Sequence, residues 1–237
     1  MTGMLPLTVT GAVVRRRGRV LVGPVDLTLD GAGVTMVIGP NGSGKTTLLR
    51  LLHGLARLSE GRVAWNCPAR EARRRQAFVF QSPVMMRRSV RDNIAYGLIV
   101  GGTPRRAARA GAEHWAARVG LTEALNRPAT ALSGGERQKL AIARALIREP
   151  EVLFLDEPCA ALDGRATRDI EAILCAAAGG GTRLIMSTHD MGQARRLADE
   201  VVFMLGGRVG ECTPAGTFFD RPGSAEARAF LRGDIVE

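Results

Sequence analysis

The chain has 237 residues, 46% of them hydrophobic, a length that fits one large domain or a domain carrying a subdomain. Its longest apolar stretches, at 94–100 and 152–155, fall well below the roughly 20 residues that cross a bilayer, and positions 1–10 lack a basic segment followed by an apolar core, so a soluble, cytoplasmic chain is expected. The formal charge of +10 is scattered arginine, Lys45 and Lys139 being the two lysines, and the densest runs, 15–17 and 73–75, have no interleaved aromatics for bases to stack on, which argues against a nucleic-acid partner.

Positions 4–38 alternate apolar and polar residues, with a strand near 20–22, a turn at Asp30-Gly31 and a wholly apolar strand over 34–38. That strand runs into Gly39-Pro40-Asn41-Gly42-Ser43-Gly44-Lys45-Thr46, after which Leu48, Leu49, Leu52 and Leu55 recur at helical spacing. Positions 61–81 return to strand-like character and end at Phe78-Val79-Phe80-Gln81. From 89 to 148 the pattern is mainly helical: Ser89 and Asp92 read as a capping box, Pro104 opens an Arg/Ala-rich helix, and Ser133 with Glu136 opens another. Strands over 152–155, 184–187 and 201–205 then alternate with helices over 163–178 and 193–198, which predicts a mostly parallel sheet. Thr213-Pro214 starts a helix, and 224–232 forms the last one. Cys67, Cys159, Cys175 and Cys212 lie too far apart for a zinc site or a disulfide framework.

A glycine-rich loop between a strand and a helix lets consecutive N–H groups and the helix N-terminus point at phosphates. In that setting Gly39, Pro40, Asn41, Gly42, Ser43, Gly44, Lys45, Thr46 and Thr47 are candidate nucleotide contacts, with Lys45 supplying a cation for the β and γ oxygens and Thr46 a hydroxyl for Mg²⁺. The apolar run 152–155 ends in Asp156-Glu157, which places one carboxylate to hold Mg²⁺ and a second to polarise a water. Leu132-Ser133-Gly134-Gly135-Glu136-Arg137-Gln138 is a capped helix start with two small residues, where backbone N–H groups can approach an anion.

With that last motif, positions 4–210 resemble the ATP-binding cassette (ABC) family, and 81–90, Asn93-Ile94 and the tail Phe218-Phe219-Asp220-Arg221-Pro222 are similar to its oxyanion importers, nearest to tungstate, with molybdate and phosphate close behind. The resemblance implies an α/β fold: a P-loop NTPase core of RecA type with a mostly parallel sheet, an N-terminal antiparallel β subdomain and an inserted α-helical subdomain. The expected segments are 1–82 (β subdomain, glycine loop, Gln81), 83–149 (helical subdomain), 150–210 (second half of the core) and 211–237 (a short helical tail). It further implies that Gln81 contacts Mg²⁺ and the attacking water, that His189 holds the γ-phosphate and orients Glu157, and that Asp163 contacts an opposing copy. Ser133, Gly134, Gly135, Glu136 and Gln138 would meet the ATP of that copy in a head-to-tail dimer.

By the same resemblance the chain sits on the inner face of the membrane, docked to a membrane-spanning permease and served indirectly by an extracytoplasmic solute-binding protein. Two positions depart from the family. No aromatic lies over 13–20 to stack on adenine, leaving Arg17, or Arg16, to face the base, and Cys159 stands where Thr or Ser is usual. A polar amino-acid importer, a soluble kinase or GTPase, and a non-transport ABC protein are the competing readings. The absence of an N-K-x-D guanine motif weighs against the GTPase.

Overall fold

The computed structural model describes residues 3–234; Met1 and Thr2, where the leader reading begins, and 235–237, which close the expected tail, lie outside the described residues. Strands β1 (Leu7–Arg16) and β2 (Arg19–Leu29) form a hairpin that turns at Arg17 and Gly18, both at positive φ. The five residues of β3 (Val34–Ile38) are all buried, as a strand covered on both faces must be. After the glycine loop comes α1 (Lys45–His53), whose stripe of Leu48, Leu49, Leu51 and Leu52 packs inward. Gly54 at φ 86° ends this helix one residue before Leu55, so Leu55 does not join the apolar stripe as its spacing predicts and stands 51% exposed.

The strand-like stretch 61–81 divides into β4 (Glu60–Trp65), the short helix α2 (Ala69–Ala72) and β5 (Gln76–Val79). Strands β2, β1 and β4 make a separate antiparallel sheet. Helices α3 (Val90–Ile99), α4 (Arg105–Arg118) and α5 (Gly134–Leu146) follow. At the start of α3, Ser89 Oγ accepts from Asp92 N at 3.1 Å, but the reciprocal half of the expected capping box is missing because Arg109 of α4 holds the Asp92 carboxylate with two bonds of 2.8 and 3.2 Å. At α5 the box is complete.

The core sheet is finished by β6 (Val152–Asp156), α6 (Gly164–Gly179), β7 (Arg183–Ser187), α7 (Met191–Leu197), β8 (Glu200–Leu205), β9 (Arg208–Pro214), α8 (Ala215–Asp220) and α9 (Ala225–Arg232). Its order is β5-β6-β7-β3-β8-β9, parallel except for β9, which turns back on β8 through Gly206 and Gly207. Alternate residues feed two cores. Met36, Ile38, Leu153, Leu155 and Met186 face the α5–α6 side, whereas Val37, Phe154, Ile185 and Met204 face α1 and the antiparallel sheet. The two sheets are joined at Gly207: Gly23 N donates to its carbonyl at 2.8 Å, and its own N–H donates to Ser43 O at 3.1 Å. Ligands in such folds collect at the carboxyl ends of the parallel strands, and the loops after β3, β5, β6 and β7 all emerge there.

Candidate active site

The loop after β3 is shaped by positions that accept no side chain. Gly39 lies at φ 147°, and a Cβ on it would stand 2.1 Å from Met204 O; Gly44 lies at φ 102°, with its Cβ position 2.7 Å from Val22 Cγ2. Gly44 is also the N-cap of α1, which has no side-chain cap and no acid in its first turn, so its leading N–H groups and the positive end of its dipole stay open to an anion. Ser43 Oγ is buried in the loop with no hydrogen-bond partner, an orphan that a phosphate oxygen would satisfy. Lys45 Nζ is buried and donates to Gly39 O and Pro40 O at 2.9 and 3.1 Å. Burial lowers the Lys45 pKa from the usual lysine value, while Glu157 and Asp156 pull it back up.

Across from the loop, β6 delivers Asp156 at 2% exposure, in register with Ser187 at the end of β7. Thr46 Oγ1 donates to Asp156 Oδ1 at 2.8 Å, and Ser187 Oγ donates to the same oxygen at 2.9 Å. Glu157 follows at φ 44°, a conformation uncommon outside glycine, and its N–H donates to Ser187 Oγ at 3.0 Å. Its carboxylate is held on one oxygen: Gln81 Nε2 donates to Oε2 at 3.2 Å, and His189 Nδ1 lies 3.1 Å from it, a hydrogen bond when Nδ1 carries the proton. Lys45, Thr46, Gln81, Asp156, Glu157 and His189, which leave four different strands, are thus brought into one cluster.

The donor set suits one class of metal. Among the described residues no three His, Cys, Asp or Glu side chains gather into a cage; His189 is taken up by Glu157, and the donors beside Lys45 are oxygens, the Thr46 hydroxyl and Asp156, with the Gln81 amide next to Glu157. Mg²⁺ binds in this way, keeping several waters and taking one or two carboxylates plus phosphate oxygens.

The residues of the α5 motif lie elsewhere. Ser133, Gly134, Gly135 and Glu136 line a concave surface with Ala161, Leu162 and Asp163, apart from the glycine loop. Ser133 and Glu136 cap each other at 2.8 and 3.3 Å, and the Ser133 N–H holds the Glu136 carboxyl below the usual range. A Cβ on Gly135 would come 3.0 Å from Ala166 Cβ, so α5 and α6 lie close together at this point. Asp163 Oδ1 caps α6, accepting from Arg165 N and Ala166 N. Gln138 is not on this surface: it is 4% exposed on the inner side of α5.

Arg17 sits exposed at the tip of the β1–β2 hairpin, and Leu21 and Val22, a few residues along β2 from that tip, lie against Gly44. Cys159 is half-buried against the core, and burial pushes its thiol up to about 11. Phe218 is fully buried against Phe203 with centroids 6.0 Å apart, and Arg195 stacks over Phe219 at 4.5 Å, so the tail motif packs the end of the sheet. Ser187 was not singled out from the sequence, where a lone polar residue closing an apolar strand is the single trace of it.

A sequence profile of the family described as ABC transporter matches residues 22–160. The phosphate import ATP-binding protein PstB 2 of Natronomonas pharaonis is 38% identical over 97% of this chain and 87% of its own length. The nickel import ATP-binding protein NikO of Rhodobacter capsulatus is 41% identical over 88% and 89%, and the tungstate uptake system ATP-binding protein TupC of Peptoclostridium acidaminophilum 37% over 87% and 98%. The solved structure of cbiO1 from Clostridium perfringens, part of the ABC transporter complex cbiONQ, superposes with a TM-score of 0.81 at 27% identity, covering 95% of this chain and 94% of that one. With a profile match over more than half of its length and relatives this similar along most of theirs, the chain belongs to the ABC transporter family and hydrolyses ATP.

Proposed function

We propose that two copies of this chain close on ATP to power import through a separate membrane-spanning permease, and that the cluster around Glu157 performs the chemistry. The observation that carries the reading is the one-sided anchoring of Glu157. With Oε2 held by Gln81 and His189, Oε1 is the oxygen turned toward a water in line with the γ-phosphate, whose proton it takes. Lys45, the Ser43 hydroxyl and the first-turn N–H groups of α1, from Gly44 through Thr47, cradle the β- and γ-phosphates. Thr46, Asp156 and Gln81 hold Mg²⁺, which when bound offsets charge on the phosphate oxygens. Ser133, Gly134, Gly135 and Glu136 of one copy face the γ-phosphate bound by the other, next to the contact made by Asp163. Gln138, being buried, supports that helix from below. Arg17 lies beside the base.

A groove between β5, α3 and α5 is lined by Phe78, Phe80, Pro83, Tyr96 and Val100, with Phe80 42%, Tyr96 40% and Val100 66% exposed. It opens next to Gln81, so a permease segment seated there reaches the site that reads ATP. Among the described residues no helix is long and apolar enough to cross a membrane; docked to the permease, the subunit sits on the cytoplasmic face. For the solute the reading is an oxyanion, nearest to tungstate, delivered by an extracytoplasmic binding protein. Relatives named for phosphate and tungstate support it, and those named for nickel and methionine mark the competing outcomes.

Glu157→Gln keeps the side-chain volume and removes the base. Phosphate release should fall by about 10²–10⁴-fold while an ATP-bound dimer accumulates on size exclusion. Turnover at the wild-type rate would remove Glu157 from this role. Co-purification with the permease and uptake assays against tungstate, molybdate, phosphate, nickel and amino acids test the solute; uptake of amino acids alone rejects an oxyanion.

A further inference from the structure

We infer that Ser187 is a positioning residue for hydrolysis, one buried hydroxyl that aims the metal-side carboxylate and the base together. The inference rests on the roles proposed above for Asp156 and Glu157. Ser187 is 0% exposed and has a single proton, which it gives to Asp156 Oδ1 at 2.9 Å; its lone pair accepts the Glu157 N–H at 3.0 Å. Asp156 Oδ1 therefore receives two hydroxyls, from Ser187 and from Thr46 at 2.8 Å, and turning the carboxylate would break both bonds. Oδ2 is left as the oxygen for the metal side.

On the other side of the hydroxyl, Glu157 is kept in a left-handed conformation that a non-glycine residue does not hold without support. Its N–H has Ser187 Oγ as acceptor, and its carboxylate has His189 two residues further on. The same short segment thus grips Glu157 at backbone and carboxylate. That segment is fixed in turn to β3 by Thr188 N donating to Val37 O at 3.3 Å and is closed by Asp190 N donating to Thr188 Oγ1 at 3.0 Å. An apolar residue at 187 would serve the sheet equally well, because Met186 and Ile185 beside it are fully buried. The hydroxyl therefore has its use at the strand's end, between the two acids.

The test compares Ser187→Ala, Ser187→Thr and Ser187→Cys with wild type in the full chain. Four readouts are taken: kcat and KM for ATP, the Mg²⁺ concentration for half-maximal rate, the affinity for a fluorescent ATP analogue in EDTA and in Mg²⁺, and the melting temperature. Ser187→Ala should lower kcat about 10- to 100-fold and raise the Mg²⁺ requirement several-fold, with the affinity in EDTA within about twofold of wild type. Ser187→Thr keeps the hydroxyl and should recover kcat to within about threefold. If Ser187→Ala does not fold, the comparison passes to the Cys and Thr variants, of which the weakly bonding thiol should be the slower. Wild-type kcat and Mg²⁺ dependence in Ser187→Ala overturn the inference, as do equal rates in Cys and Thr variants of equal melting temperature. Glu157→Gln is run beside them: turnover there would defeat the reading of Glu157, whereas a dead Glu157→Gln with a normal Ser187→Ala defeats this inference alone.

Discussion

Acidification should destabilise this protein through one histidine, His53, at the end of α1. Its ring meets Phe78 and Phe154 edge-on with centroids at 5.5 and 5.4 Å, and its Nδ1 is buried with no hydrogen-bond partner. Burial lowers its pKa from 6.5 to about 4. The C-terminal end of a helix favours a cation by about 0.3–1 kcal/mol, but a shift of this size corresponds to about 3 kcal/mol, so desolvation wins. The folded state prefers the neutral ring, so this stabilisation is complete above the unfolded value of 6.5 and is lost as pH falls toward about 4, where the unfolded chain has already taken its proton. Allowing for the partial exposure of the ring, about 2–3 kcal/mol should disappear across that window. Urea unfolding of wild type and His53→Phe, measured from pH 7.5 to 4.5, isolates the effect, because the phenyl ring keeps both aromatic contacts and does not titrate. The gap between the two stabilities should change by up to about 1.4 kcal/mol per pH unit below pH 6. Parallel pH profiles would refute the reasoning.

Arg17→Ala should weaken ATP binding several-fold with little change in rate at saturating ATP, as followed by nucleotide titration; unchanged affinity rejects a guanidinium beside the base. Gly39→Ala places a methyl 2.1 Å from Met204 O at a φ of 147°, so it should cost more than about 3 kcal/mol and abolish nucleotide binding. Thermal melting and nucleotide titration check it, and a stable, ATP-binding Gly39→Ala would show that the loop is not clamped against β8.

The glycine loop, Asp156-Glu157 and the Ser133–Glu136 cap were legible because each is a contiguous stretch whose local backbone or capping chemistry leaves a spacing in the chain. Their assembly was not. Gln81, Glu157 and His189 meet because β5, β6 and β7 are neighbours, an order set by helix packing that no local pattern records. Strand β9 escaped notice because it is an edge strand with few buried residues, announced by Gly206-Gly207 more than by its own composition. Leu55 fitted the helical stripe by spacing, but Gly54 ended the helix first. The burial of Gln138 was equally hidden, since a glutamine two residues past a capping box reads as surface.

The bridge at Gly207 has a mechanical consequence. Its N–H is bound to Ser43 in the glycine loop and its carbonyl to Gly23 in the hairpin sheet, so one residue rivets the loop after β3 to the β1–β2 arm. A shift of the hairpin sheet is therefore passed to the glycine loop through a single residue, and a substitution that disturbs one is felt by the other.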